Sequence, residues 1–138
     1  MALDAELLEA YRKAEYVVFG EPPLVLRIGE RNRRLDTMLE VAGKPSAAFL
    51  TACNAGGQRR GDQENQAAQV RLERALEDRP YGCYPGEGRD PTGRWAPEPS
   101  LLVVGMPRPE AEALGRAFEQ NALVFVERGG VPELVALR

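Results

Sequence analysis

The side chains best suited to chemistry lie at the ends of predicted strands and on one predicted helix. Asn54 ends the apolar segment SAAFLTAC, and the helical segment after it carries Asn65 on its predicted inward face and Arg71 at the flank of that face. Glu98 and Ser100 come at the start of the next apolar segment, SLLVVG. If these two strands are neighbours in the sheet, the five side chains meet at one end of it. Amides and a guanidinium gathered there could bind a polar or anionic ligand.

Three functions are compatible with these residues. The first is a binding domain with a loop-covered polar pocket for a small polar or anionic ligand, nucleotides and phosphate compounds included, over which Trp95 closes. The second is a protein-interaction or structural module, in which an Arg71–Glu98 ion pair and its neighbours only hold the loop. The third is a carboxylate-dependent hydrolase, which needs a carboxylate of raised pKa, either Glu98 or Asp90.

Two further polar residues, Gln120 and Asn121, lie where the last predicted helix ends. They either satisfy the final carbonyl groups of that helix or contact the ligand. The residues identify no cofactor, and they do not decide whether the protein is an enzyme.

Composition excludes several other chemistries. The sequence contains no histidine, which removes Ser-His and Cys-His catalysis and every histidine-ligated metal site. Cys53 and Cys83 lie thirty positions apart without CxxC spacing, so we predict no metal site and no disulfide framework. A net charge of −3 argues against bulk electrostatic binding of nucleic acid.

The N-terminal residues and the apolar runs predict a cytoplasmic protein without a membrane partner. No apolar run approaches the roughly 20 residues of a membrane-spanning helix. The sequence MALDAELLEAYRKAEY lacks a basic region followed by a continuous apolar region, so we expect no signal peptide.

The segment from Arg79 to Ser100 is predicted to be a long loop. It contains five of the eleven prolines and four of the fourteen glycines. Loops longer than about 12–15 residues are uncommon inside a domain and are usually functional or disordered. Because this one carries the only tryptophan, Trp95, we expect it to be ordered and functional. Within it, Asp90-Pro91-Thr92-Gly93 predicts a β-turn.

Hydrophobic periodicity predicts an α+β fold in one compact domain over residues 1–138. It consists of a mixed β-sheet of about five or six strands with about four helices packed on it. The helices cover residues 3–14, with Asp4 as N-cap, 30–42 with Gly43 after it, 62–78, and the stretch between Pro109 and Gln120. The strands are YVVF, LVLRI, SAAFLTAC, SLLVVG, ALVFVE and VPELVAL. A strand, a helix and a strand in succession predict a crossover unit over residues 24–53.

The chain resembles a bacterial family known as domain of unknown function 3293. The resemblance lies in TACN, in Asn65 and Arg71, in GEGRDPTGRWAPEPSLLVVG and in AFEQNALVFVE, and it spans about residues 47–135. Ala55 stands where the family pattern has proline, and one extra residue, Ala96 or Pro97, separates Trp95 from Glu98. The resemblance marks positions for a site and implies no activity.

Overall fold

A computed structural model describes residues 5–138, so the predicted start of the first helix and its N-cap Asp4 lie outside the described part. Four helices and seven strands confirm the α+β class. The helices are α1 (Ala5–Lys13), α2 (Arg33–Ala42), α3 (Asp62–Glu77) and α4 (Arg108–Ala117). The strands are β1 (Glu15–Val18), β2 (Leu24–Leu26), β3 (Ser46–Leu50), β4 (Gly82–Arg89), β5 (Glu98–Val104), β6 (Ala122–Glu127) and β7 (Glu133–Ala136).

The strands form one sheet in the order β2-β1-β4-β5-β3-β6-β7, and every neighbouring pair is antiparallel. The predicted mixture of parallel and antiparallel pairs was therefore wrong. Three strands, β1, β4 and β5, separate β2 from β3, so the predicted crossover unit between them does not form. Seven strands slightly exceed the expected five or six.

The additional strand is β4, which lies inside the predicted loop from Arg79 to Ser100. Its sequence GCYPGEGR is rich in glycine and proline, residue types depleted in strands, which is why the prediction failed there. The glycine at position 86 is required by the pairing with β1, because a Cβ atom would lie 2.0 Å from the carbonyl oxygen of Val17. The irregular connection is thus shortened to residues 90–97.

Apolar side chains cover both faces of the central strands. On one face, Leu72 of α3 and Leu114 of α4 pack in a cluster with Leu50 of β3. On the other face, Leu35 and Leu39 of α2 pack in a cluster with sheet residues that include Phe49 of β3. The strand SAAFL is buried along its whole length because it has helices on both sides.

The sheet curls around the face that α2 covers. Residues of β1 and β2 share one apolar cluster with residues of β6 and β7. Next to the two outer strands, the N–H of Gly29 donates to the carbonyl of Pro132 at 2.9 Å. The Asp36 carboxylate of α2 accepts from the N–H of Gly129 at 2.8 Å. Helix α2 therefore covers one end of the concave face and leaves the other end uncovered.

The predicted end of α2 is confirmed, and its start has a cap that was not predicted. Gly43 follows α2 in the left-handed conformation, with φ of 67°, as expected for the residue after a helix. Asn32 caps the start of the same helix, where its side chain accepts from the N–H of Leu35 at 3.0 Å. None of the helices within residues 5–138 has the length and apolar character needed to cross a membrane.

Candidate functional site

The ends of β3 and β5 bring Asn54 and Glu98 together. The two strands are antiparallel neighbours with Leu50 opposite Leu101, so the end of one lies beside the start of the other. Nδ2 of Asn54 donates to Oε2 of Glu98 at 2.5 Å. The predicted meeting of these two residues is confirmed.

A second asparagine fixes the orientation of the first. The N–H of Asn54 donates to Oδ1 of Asn65 at 2.8 Å, and Nδ2 of Asn65 donates back to Oδ1 of Asn54 at 3.1 Å. The backbone N–H of Arg60 also donates to Oδ1 of Asn54, at 2.9 Å. A backbone N–H can only donate, so the Asn54 oxygen must face Arg60 and its nitrogen must face Glu98.

The backbone of Asn54 adopts an unusual conformation. Its φ of 53° and ψ of 50° place it in the left-handed region, which asparagine enters more readily than other residues with a side chain. The turn after it includes Gly57, where a Cβ atom would lie 2.5 Å from Nδ2 of Asn121. The neighbouring N–H of Gly56 donates to the carbonyl of Glu119 at 2.8 Å. The segment after β3 is thus held against the end of α4.

Glu98 is a partly buried carboxylate that has no cationic partner among the described residues. Burial raises its pKa, and the hydrogen bond from Asn54 opposes this only in part. Within residues 5–138 no arginine or lysine forms an ion pair with it, and Asn54 is the only side chain that donates to it.

The predicted ion pair between Arg71 and Glu98 was wrong. The inward face of α3 is defined by Ala68, Gln69, Leu72 and Leu76, all of which are buried. At 100° per residue Arg71 falls more than a quarter turn from the centre of this face, so its side chain is exposed. Asn65 falls on the inward face, as expected.

A cleft of about 1350 Å³ opens at the end of the concave face that α2 leaves uncovered. Its lining includes Tyr11 of α1, Tyr16 of β1 and Phe49 of β3. The rings of Tyr16 and Phe49 meet edge to face, with centroids 5.4 Å apart. Burial raises the pKa of the Tyr11 and Tyr16 hydroxyls, and the charge of Glu98 adds to both shifts.

The connection between β4 and β5 closes one side of the cleft. The predicted β-turn is confirmed, since the N–H of Gly93 donates to the carbonyl of Asp90 at 3.0 Å. The Asp90 carboxylate accepts from both the hydroxyl and the N–H of Thr92 and from the N–H of Arg94, which lowers its pKa. Of the two candidate catalytic carboxylates, only Glu98 therefore has the raised pKa that such a role requires.

Trp95 and Ser100 both line the cleft. Trp95 is partly buried, and its Nε1 atom has no hydrogen-bond partner among residues 5–138. The hydroxyl of Ser100 donates to the carbonyl of Glu98 at 2.9 Å.

Gln120 and Asn121 are buried and also line the cleft. Nε2 of Gln120 donates to the carbonyls of Cys53 and Phe118, both at 3.1 Å. The second contact satisfies a carbonyl group at the end of α4, which was one of the two roles predicted for Gln120. Nδ2 of Asn121 donates to the hydroxyl of Tyr11 at 3.2 Å.

Seven of the eight predicted ligand-binding residues therefore line one cleft, and Arg71 does not. The seven are Asn54, Asn65, Trp95, Glu98, Ser100, Gln120 and Asn121. Their roles in binding remain predictions. No cluster of histidine, cysteine or carboxylate side chains within residues 5–138 has the arrangement of a metal site.

Four other residues of this site were not predicted from the sequence: Tyr11, Tyr16, Arg60 and Gln69. Oε1 of Gln69 accepts from the N–H of Ala52 at 3.1 Å, directly after β3. Gln69 follows Asn65 by four positions on one helix, and this spacing could have identified it. The tyrosines lie far from Asn54 in sequence, and no local pattern connects them to it.

These features define an α+β protein with a curled antiparallel sheet and a polar cleft at its open end. A family model described as "Protein of unknown function (DUF3293)" matches residues 50–123, and the chain belongs to this family. The matched segment includes Asn54, Asn65 and Glu98. It is shorter than the segment of about residues 47–135 over which the sequence resembles the family. Neither a curated protein nor a solved structure matched the chain.

Proposed function

We propose that this protein is a cytoplasmic bacterial binding domain whose cleft takes a small polar ligand carrying an anionic group. The observation that supports it best is the position of Glu98, a carboxylate held by Asn54 on the wall of a cleft. The cleft is somewhat larger than the 300–1,000 Å³ typical of ligand sites, so a small molecule fits.

The anionic group of the ligand faces arginines at the rim. Arg59 and Arg60 follow Asn54 and line the cleft, and neither forms an ion pair within the described part of the chain. Nε of Arg60 donates to the carbonyl of Ala55 at 3.0 Å, which orients the guanidinium. Guanidinium groups bind carboxylates and phosphates through paired hydrogen bonds, so both ligand classes fit, nucleotides included.

A purely structural network accounts for these contacts less well. A carboxylate offers about four acceptor sites, yet Glu98 receives one side-chain hydrogen bond from the described part of the chain. A network that served only to hold the segment could use a neutral amide at this position without burying a charge. The unused acceptor sites favour a ligand.

Carboxylate-dependent hydrolysis is the second candidate function. It rests on the raised pKa of Glu98, which a general acid or base requires. Turnover of a bound ligand that stops in Glu98→Gln, while binding persists, would establish it.

A thermal-shift screen tests the binding function. The panel contains nucleotides, phosphate compounds, amino acids and organic acids, each with and without Mg²⁺. A ligand at 100 times its Kd stabilises a protein by about 2.7 kcal/mol, so Tm should rise by roughly 5–10 °C.

Arg71→Ala and Asn65→Ala form the matched pair of variants. Arg71→Ala should keep the response because the residue lies outside the cleft, and Asn65→Ala should weaken it because Asn54 loses its partner. Failure of the whole panel to shift Tm would count against binding and favour an interaction or structural module.

A further inference from the structure

We propose that the site beside Glu98 accepts a positively charged nitrogen group of the ligand, an ammonium or guanidinium. The ligand is then a small zwitterion whose acidic end contacts Arg59 and Arg60. This inference rests on the proposed binding function and specifies the class of ligand.

The first argument is the polarity of the hydrogen-bonding groups on the cleft wall. The hydroxyl of Tyr16 donates to the carbonyl of Tyr11 at 2.6 Å, and that of Ser100 donates to the carbonyl of Glu98 at 2.9 Å. The hydroxyl of Thr51 donates to the carbonyl of Pro99 at 2.7 Å. All three residues line the cleft, and their protons are directed to the protein's own backbone. What they can still offer a ligand is acceptor oxygens.

Glu98 adds a carboxylate to this set of acceptors. Oε2 accepts from Asn54, and within residues 5–138 no other side chain donates to the carboxylate. A wall of hydroxyl and carboxylate oxygens is complementary to a group that has several N–H donors and a positive charge. Ammonium has three such donors and guanidinium up to five.

Tyr11 is different from the other hydroxyl residues. Its oxygen accepts from Nδ2 of Asn121 at 3.2 Å, so its own proton remains available as a donor. It belongs to α1 and adds one donor to the cleft wall.

The second argument is the charge and aromatic character around Glu98. The carboxylate lies close enough to the hydroxyls of Tyr11 and Tyr16 and to the thiol of Cys53 to raise the pKa of each, after the larger effect of burial. These neighbours ionise only to anions. The rings of Tyr16, Phe49 and Trp95 line the same cleft, and aromatic faces attract cations by about 0.5–2 kcal/mol.

Asn54 connects the two parts of the proposed site. Its Oδ1 accepts from the backbone N–H of Arg60 at 2.9 Å, and its Nδ2 donates to Glu98. The segment that carries Arg59 and Arg60 is therefore held beside Glu98, so one small zwitterion can contact both.

Matched pairs of compounds test the inference, with the fluorescence of Trp95, the only tryptophan, as the readout. The pairs are guanidinoacetate and ureidoacetate, γ-aminobutyrate and butyrate, and phosphoethanolamine and ethyl phosphate. In each pair the second compound lacks the cationic nitrogen. We expect at least one cationic member to bind tenfold or more tightly than its partner, which equals about 1.4 kcal/mol.

Two variants separate the contributions of the charged ends. Glu98→Gln keeps an acceptor for Asn54 and should abolish the tenfold preference, whereas Arg59→Ala should weaken both members of a pair and keep their ratio. A circular dichroism melt establishes that each variant is folded. If Glu98→Gln fails to fold, the test of the inference is whether the wild-type protein prefers the cationic member of a pair by tenfold or more.

The outcomes distinguish this inference from the function on which it rests. Binding of the amine-free acids with equal or higher affinity would overturn the cationic subsite and leave the binding function intact. Absence of binding by every pair would overturn the inference, and failure of the wider thermal-shift panel as well would overturn the binding function.

Discussion

Nδ2 of Asn54 lies 2.5 Å from Oε2 of Glu98, although 44 positions separate the two residues in the chain. The contact joins the segment after β3 to the first residue of β5, on the wall of the cleft. Asn54 is in the left-handed conformation and Glu98 is a partly buried acid, so both residues carry an energetic cost. Such costs concentrate at functional sites, which is consistent with the proposed role.

Substitution of Asn54 should destabilise the fold even without ligand. Asn54→Ala removes the acceptor of two N–H groups and the only side chain among residues 5–138 that donates to Glu98, and it places alanine at a φ of 53°. We expect a loss of about 2–4 kcal/mol in the free energy of unfolding. Asn54→Gly tolerates the backbone conformation and should lose about 1 kcal/mol less. Urea denaturation measures both, and equal losses would contradict a contribution from the backbone.

The stability of the protein should depend on pH through Glu98. Its folded-state pKa is raised, so the folded protein binds the proton more tightly than the unfolded chain does. This group's contribution to stability therefore decreases as pH rises from the unfolded pKa, about 4.3, through the higher folded pKa. Glu98→Gln should have a higher Tm than the wild type at pH 7, and the difference should shrink towards pH 4. A difference that grows on acidification would refute the argument.

The glycine at position 86 should resist substitution. In Gly86→Ala the new Cβ would lie 2.0 Å from the Val17 carbonyl, and the pairing of β1 with β4 would have to open. We expect a loss of about 3 kcal/mol or more, or failure to fold. In the control Gly88→Ala on the same strand, the nearest atom is Cη2 of Trp95 at 3.8 Å, which is ordinary contact. A thermal melt should place the control within a few degrees of the wild type, and similar losses in both would contradict the close approach.

Gln69 should contribute to stability through one buried hydrogen bond. Gln69→Leu leaves the N–H of Ala52 without its partner, at a cost of about 1–3 kcal/mol. Gln66→Leu on the same helix is the control, because Gln66 is exposed and should change stability by less than about 0.5 kcal/mol. Chemical denaturation of the two variants measures the difference, and the prediction fails if Gln66→Leu costs as much.

Several parts of the site could be predicted because they depend on local patterns. Helical periodicity placed Asn65 on the inward face of α3, and apolar runs located β3 and β5 closely enough to bring Asn54 to Glu98. The same periodicity was applied too loosely to Arg71, whose exposed position becomes clear once Gln69 is counted as buried. The burial of Gln69 was not predicted because glutamine is a polar residue.

The sequence by itself determined the helices, six of the strands, the β-turn at Asp90 and seven of the residues that line the cleft. Only the tertiary structure decided that GCYPGEGR forms a strand, since the close approach of β1 explains Gly86 and no property of the segment does. Only the curl of the sheet brought Tyr16 of β1 and Phe49 of β3 to the concave face of one cleft. Periodicity reports which side of a strand or helix is buried, whereas strand order and curvature depend on packing between distant segments, which no local pattern records.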